Sequence, residues 1–174
     1  MRWQDIPSFP HINYHINVPW NHLKQNLDHY IKDYNLDMSP DFQRPHVWTE
    51  AQQIAYVEFM LRNPQSEKYI YFNHPGWMKS SMMDGQMLLI DGKQRITAAL
   101  KFLDNEIPAY GVYYKDFTGF KHIPTDIDFE FNVMTMQTRK EILQWYIDFN
   151  SGGTIHKPSE IQKVRDLLLE EENK

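Results

Sequence analysis

The sequence predicts an α+β domain. Five segments repeat apolar residues at helical spacing, and two of them open on capping boxes. Five shorter runs carry the β-branched and aromatic residues of strands. The two kinds interleave irregularly, which favours α+β over a doubly wound parallel sheet.

The first strand is expected at Tyr14–Val18. A helix follows from about Trp20 to Tyr34, because Leu23, Leu27, Tyr30, Ile31 and Tyr34 fall on one face. TEAQ opens the second helix, with Thr49 as cap, Gln52 reaching back, and Ile54, Val57 and Leu61 as its apolar stripe. Strands are expected at Lys68–Phe72 and Met87–Ile90, separated by a mobile Gly-, Met- and Ser-containing loop from Asn73 to Gln86. The third helix carries Ile96, Ala99, Leu100 and Leu103 on one face. Asn105 and Glu106 turn the chain into further strands at Ile107–Tyr114 and Ile127–Val133, the latter alternating as Ile127, Phe129, Phe131 and Val133. TRKE caps the fourth helix at Thr138, with Ile142, Tyr146 and Phe149 facing inward. Pro158 suits the first turn of the fifth, whose inner face is Ile161, Val164 and Leu168. Its acidic end, residues 165–174, is expected to be a frayed tail.

The 174 residues suit a single domain spanning 1–174 with a real hydrophobic core. A hydrophobic content of 41% and an aromatic content of 14% oppose disorder. No apolar run approaches the roughly 18–20 residues of a membrane span, and MRWQDIPSFPH lacks the apolar stretch of a signal peptide. The expected location is the cytoplasm. With no cysteine, disulfides, thiolate catalysis and Cys-based zinc sites are excluded. The formal net charge of −5 argues against a protein that grips duplex DNA through its backbone. The eight histidines form no HExxH or HxH pair, so no metal site is expected.

Three stretches carry chemistry. In LLIDGKQRITAAL an apolar strand ends in Asp91-Gly92 and a helix begins at once. A helix start offers free N–H groups and a positive dipole end, which suit an anion. Gly92 permits close approach of a ligand or a positive φ. Arg95, in the first turn, can hold a phosphate or carboxylate in two bonds. Asp91 could orient Arg95, accept a ribose or base contact, or hold a metal ion. The simpler alternative is that Asp91 only caps the helix and Arg95 is solvated. In DFQRPHVW, Arg44 stands against Pro45 between Phe42 and Trp48, which positions it; the alternative is a loop anchored in the core with Arg44 exposed. FNSGGT supplies Asn150, Ser151 and Thr154 around Gly152-Gly153, and also reads as an ordinary glycine helix stop.

Together, DFQRPHVW, IDGKQR and FNSGG, in this order, resemble the N-terminal domain of the GmrS-type family. That family occurs in GmrSD-like type IV restriction enzymes and related phage-defence proteins. The resemblance runs from Asp41 to Val164. It implies a ParB/sulfiredoxin-like α+β fold, with a small mixed sheet flanked by about five helices and a nucleotide pocket. Its usual central motif, DGQQR, maps onto Asp91, Gly92, Gln94 and Arg95, with Lys93 in place of the first Gln. Its FQRP maps onto Gln43 and Arg44, and its asparagine near the small-residue turn onto Asn150, beside Ser151. Restriction members carry a further HNH-type nuclease domain, for which this chain offers no candidate segment.

The resemblance implies binding of a nucleoside triphosphate, which several family members also hydrolyse; the expectation is a stand-alone nucleotide-binding module, with slow hydrolysis and Mg²⁺ left open. Gln43, Arg44, Gly92, Lys93, Gln94, Arg95, Asn150 and Ser151 would bind the nucleotide. Asp91 and Arg95 would act in catalysis, with Asp41 as a second candidate for activating water. Two alternatives stand beside it. One is an interaction module without turnover, acting on a restriction or defence protein or a nuclease subunit. The other is a ParB-like domain that binds or cleaves nucleic acid, which the acidic balance disfavours.

Overall fold

The computed structural model describes residues 14–43, 48–64, 66–77, 85–119, 127–151 and 158–173. They contain strands β1 (Tyr14–Pro19), β2 (Tyr69–Asn73), β3 (Leu88–Asp91) and β4 (Asp128–Met134). The helices are α1 (Leu23–Tyr34), α2 (Glu50–Met60), α3 (Lys93–Leu103), α4 (Arg139–Ser151) and α5 (Pro158–Glu172). The architecture is α+β, with a mixed four-stranded sheet in the order β1-β4-β2-β3. β4 runs antiparallel to β1 and parallel to β2, and β2 runs antiparallel to β3.

Strand alternation divides the core in two, because successive side chains point to opposite faces. Ile70, Phe72, Leu89, Phe129, Phe131 and Val133 pack on one face with Leu27 and Tyr30 of α1, Val57 of α2, and Ile96 and Phe102 of α3. Ile90 and Met134 pack on the other with Leu143 and Tyr146 of α4 and Val164 of α5, joined by the partly buried Tyr71. The sheet therefore lies between two helical layers.

Both capping boxes form. Gln52 N–H donates to Thr49 Oγ1 at 3.3 Å, and Thr49 N–H donates to Gln52 Oε1 at 2.9 Å. Glu141 N–H donates to Thr138 Oγ1 at 3.2 Å, and Thr138 N–H donates to Glu141 Oε2 at 3.0 Å. Elsewhere the elements differ from expectation. Trp20–His22 is a 3₁₀ turn ahead of α1, and Ile31 is 49% exposed rather than part of the buried stripe. The expected strand Ile107–Tyr114 is a tight turn, with φ of 51° at Tyr110 and 76° at Gly111. Ala109 and Val112 bond each other across it, both ways at 2.9 Å. Two consecutive residues with positive φ reverse the chain, so the apolar run is folded back on itself. Of the expected loop from Asn73 to Gln86, Asn73, His74 and Trp77 are core residues, while 78–84 lie outside the described residues. Where the sequence suggests a fraying tail, α5 continues through Glu172. Its end meets the start of α4, with Glu171 3.5 Å from Arg139 and Glu172 2.9 Å from Lys140.

Asn73 ties β2 to the segment after β4. Its buried amide donates to Met136 O at 3.1 Å and accepts from Met136 N–H at 2.7 Å. Replacing it by alanine strands two buried backbone groups, so Asn73→Ala should cost about 2–4 kcal/mol of stability. Urea denaturation checks this, and an unchanged midpoint would contradict the assignment.

Candidate ligand-binding cleft at the β3–α3 junction

β3 ends at Asp91, opposite Tyr71 of β2, where the β2–β3 register shifts by a bulge. Gly92 then turns the chain at φ 110° and caps α3 without any side-chain hydrogen bond. A Cβ on Gly92 would lie 2.5 Å from Ile70 Cδ1 and 3.1 Å from Ile70 Cγ2. The glycine therefore meets two demands, left-handed backbone and direct packing against β2.

Around this junction a cleft of about 60 Å³ is lined by Gln43, Trp48, Asp91, Gly92, Lys93, Gln94, Arg95 and Tyr146. Asp91 and Arg95 stand four residues apart across the turn and form an ion pair. The other arm of the guanidinium, Nη1, faces Glu67 Oε2 at 3.5 Å. Arg95 Nε is buried and has no hydrogen-bond partner. The guanidinium is thus fixed on both arms, and one buried donor is left over. The neighbouring Tyr71 phenol is pushed up in pKa, first by burial and then by the Asp91 carboxylate. Lys93 lines the cleft and donates from Nζ to Ser39 Oγ at 2.7 Å.

The two glutamines fasten the far wall. Gln43 Nε2 donates to Leu89 O at 3.1 Å and to Ile90 O at 3.3 Å, which ties the segment before residue 44 to β3. Its Oε1 is buried without a partner. Gln94 is buried and accepts from Trp48 N–H at 3.2 Å, which ties the segment after residue 47 to α3. Arg44 lies outside the described residues, but Gln43 and Trp48 on either side of 44–47 both border the cleft.

The family model for the GmrSD restriction endonuclease N-terminal domain matches residues 23–166. The chain belongs to this family. No curated protein and no solved structure matches it. The GmrSD-type domain is thereby associated with restriction and phage defence.

Among the described residues, Asn150 and Asp41 are not part of the cleft lining. Asn150 is buried in α4 and donates to Tyr146 O at 2.8 Å, one turn back on the same helix. Ser151 ends α4, and 152–157 lie outside the described residues. Asp41 is held by Arg139 Nη2 at 3.0 and 2.7 Å, and that bond lowers its carboxyl pKa. Asp91 is therefore the one acid lining the cleft among the described residues. Trp48 and Tyr146 are wall residues that the sequence presents only as inward-facing aromatics. Among the described residues no three of His, Cys, Asp and Glu group as metal ligands, and no helix is long and apolar enough to cross a membrane.

The Gly92–Ile70 contact yields a paired prediction. Gly92→Ala should cost about 2–5 kcal/mol, from left-handed backbone and overpacking together. Ile70→Val removes the Cδ1 in the way. In a denaturation double-mutant cycle it should return about 1 kcal/mol of that loss. Strict additivity would show that the contact is not what excludes a side chain.

Proposed function

We propose that the cleft binds the phosphate groups of a nucleoside triphosphate, in a domain serving restriction or phage defence. The observation that carries this is Arg95, paired with Asp91 and Glu67, with its Nε buried and unpartnered beside the uncapped start of α3. Buried donors ordinarily have partners, and an anion at a helix start supplies one while meeting the dipole. The cleft is smaller than the roughly 300–1,000 Å³ of whole-ligand pockets. It takes a phosphate-sized group, and the sugar and base lie outside it, with Trp48 and Tyr146 as the aromatic surfaces nearest to them.

Mg²⁺ would arrive with the phosphates, since it is ordinarily held by one or two carboxylates plus substrate oxygens. Asp91 would be that carboxylate. Slow hydrolysis belongs to the same reading: Arg95 would stabilise charge on the transferring phosphoryl group, and Asp91 would orient the attacking water. The engagement of Asp91 by Arg95 favours a second reading, in which the nucleotide is bound without turnover and the domain acts on a restriction or defence partner. Phosphate release during incubation with NTP separates the two.

A thermal-shift panel of the four NTPs, with and without Mg²⁺, tests binding. A ligand at a hundred times its Kd should stabilise the fold by about 2.7 kcal/mol. Arg95→Ala should remain folded and bind about ten- to a hundredfold more weakly, the scale of a charged hydrogen bond. Unchanged affinity by titration calorimetry would remove the phosphates from this cleft.

Lys93 adds a mobile charge at the cleft wall, so affinity should fall in the order NTP, NDP, NMP. Lys93→Gln should flatten that order, and added salt should flatten it in the unmodified protein, because a half-exposed cation is screened. The same order in both proteins would mean that Ser39 keeps the ammonium away from the ligand.

A further inference from the structure

Glu67 stands between α2 and β2 in a left-handed conformation, φ 62°, which a side chain such as glutamate disfavours. Two contacts accompany that strain. The Tyr56 hydroxyl of α2 donates to Glu67 O at 2.8 Å, and the Glu67 carboxylate faces Arg95 Nη1 at 3.5 Å. Burial raises the pKa of the Tyr56 phenol, so that group stays a donor. The chain thus holds a second carboxylate against the cleft's arginine from outside the β3–α3 junction. The two acids grip unequally. Asp91 is half-buried and close, one helical turn from Arg95, whereas Glu67 is 60% exposed and at the limit of contact. An incoming anion would displace Glu67 first.

We propose that Glu67 is a built-in competitor for Arg95, which a phosphate ligand must displace and which makes the cleft favour a metal-bound polyphosphate over a bare one. This rests on the phosphate-binding reading above and names the residue that tunes it. Among the described residues here, Arg95 and Lys93 supply two positive charges and Asp91 and Glu67 two negative ones, so these four side chains sum to no net charge. A bare triphosphate would bring its full charge beside both carboxylates. Bound Mg²⁺ reduces that repulsion, and so would neutralising Glu67.

The test is titration calorimetry with ATP and with inorganic triphosphate, at constant ionic strength, with and without Mg²⁺. It uses the unmodified protein, Glu67→Gln, Arg95→Ala and the double variant. Glu67→Gln should tighten metal-free binding about two- to fivefold, the scale of an exposed ion pair, and should shrink the gain that Mg²⁺ gives. On the Arg95→Ala background the same substitution should change nothing. If the unmodified protein binds and a folded Glu67→Gln binds no more tightly, Glu67 is not a competitor, although the phosphate site stands. Equal tightening on both backgrounds would reduce the effect to general charge removal and overturn the contact. If the unmodified protein binds neither ligand, the phosphate reading fails, and this inference fails with it.

Discussion

The close approach of β3, α3 and β2 at Gly92 is the constraint on which the cleft depends. No side chain fits between that residue and Ile70. Because the chain turns within one residue, the last position of a strand and the first turn of a helix come within ion-pair range. Asp91 and Arg95 are neighbours for that reason. The same tight turn aims Gln94 at the backbone of Trp48, while Gln43 reaches the carbonyls of β3 from the other side. A larger residue at Gly92 would press on Ile70 and disturb the turn from which Lys93, Gln94 and Arg95 start.

The layered fold explains why the cleft draws on distant parts of the chain. Tyr146 belongs to the core on the α4–α5 face, and Trp48 packs against the core on the other face. Both reach the junction because β3 is an edge strand. Its outer edge is closed by the segment after α1, where Asp37 N–H donates to Met87 O at 2.8 Å and Leu89 N–H to Asp37 O at 2.9 Å. Covering an edge in this way prevents unwanted strand pairing. Here it also delivers Ser39 to the side of Lys93. On the opposite side, the Asp41–Arg139 pair and the bond from Lys163 Nζ to Asp41 O at 2.6 Å fasten the approach to Gln43 onto α4 and α5.

Local patterns were legible in the sequence because their causes are local. Capping boxes, strand alternation and the Asp91–Arg95 spacing each involve residues within a few positions of one another. The misread strand at Ile107–Tyr114 has a local cause too, but one that composition hides, since Tyr110 adopts a left-handed backbone that its type disfavours. The role of Gly92 was half legible. A positive φ follows from Asp-Gly at a helix start, but Ile70 as the excluded neighbour comes from another strand. Glu67 was not legible at all. It lies 28 residues before Arg95, outside every motif, and is brought there by the turn between α2 and β2 rather than by spacing. In the sequence Trp48 and Tyr146 read only as apolar anchors, because an aromatic at a core position looks the same whether or not one edge faces a cleft.

Charge at the junction also gives a physical account of the lysine at position 93. With glutamine at position 93, Asp91 and Glu67 would outnumber Arg95 among the described residues of the junction. Lys93 restores the balance and is held at the rim by Ser39. A compact cation on a flexible stem can do this without competing with Arg95 for geometry, because Arg95 binds through a planar fork and Lys93 acts as a point charge. The two cations therefore divide the work. In the proposed site, Arg95 would fix the position of an anion through directed hydrogen bonds, and Lys93 would set the charge that the site tolerates.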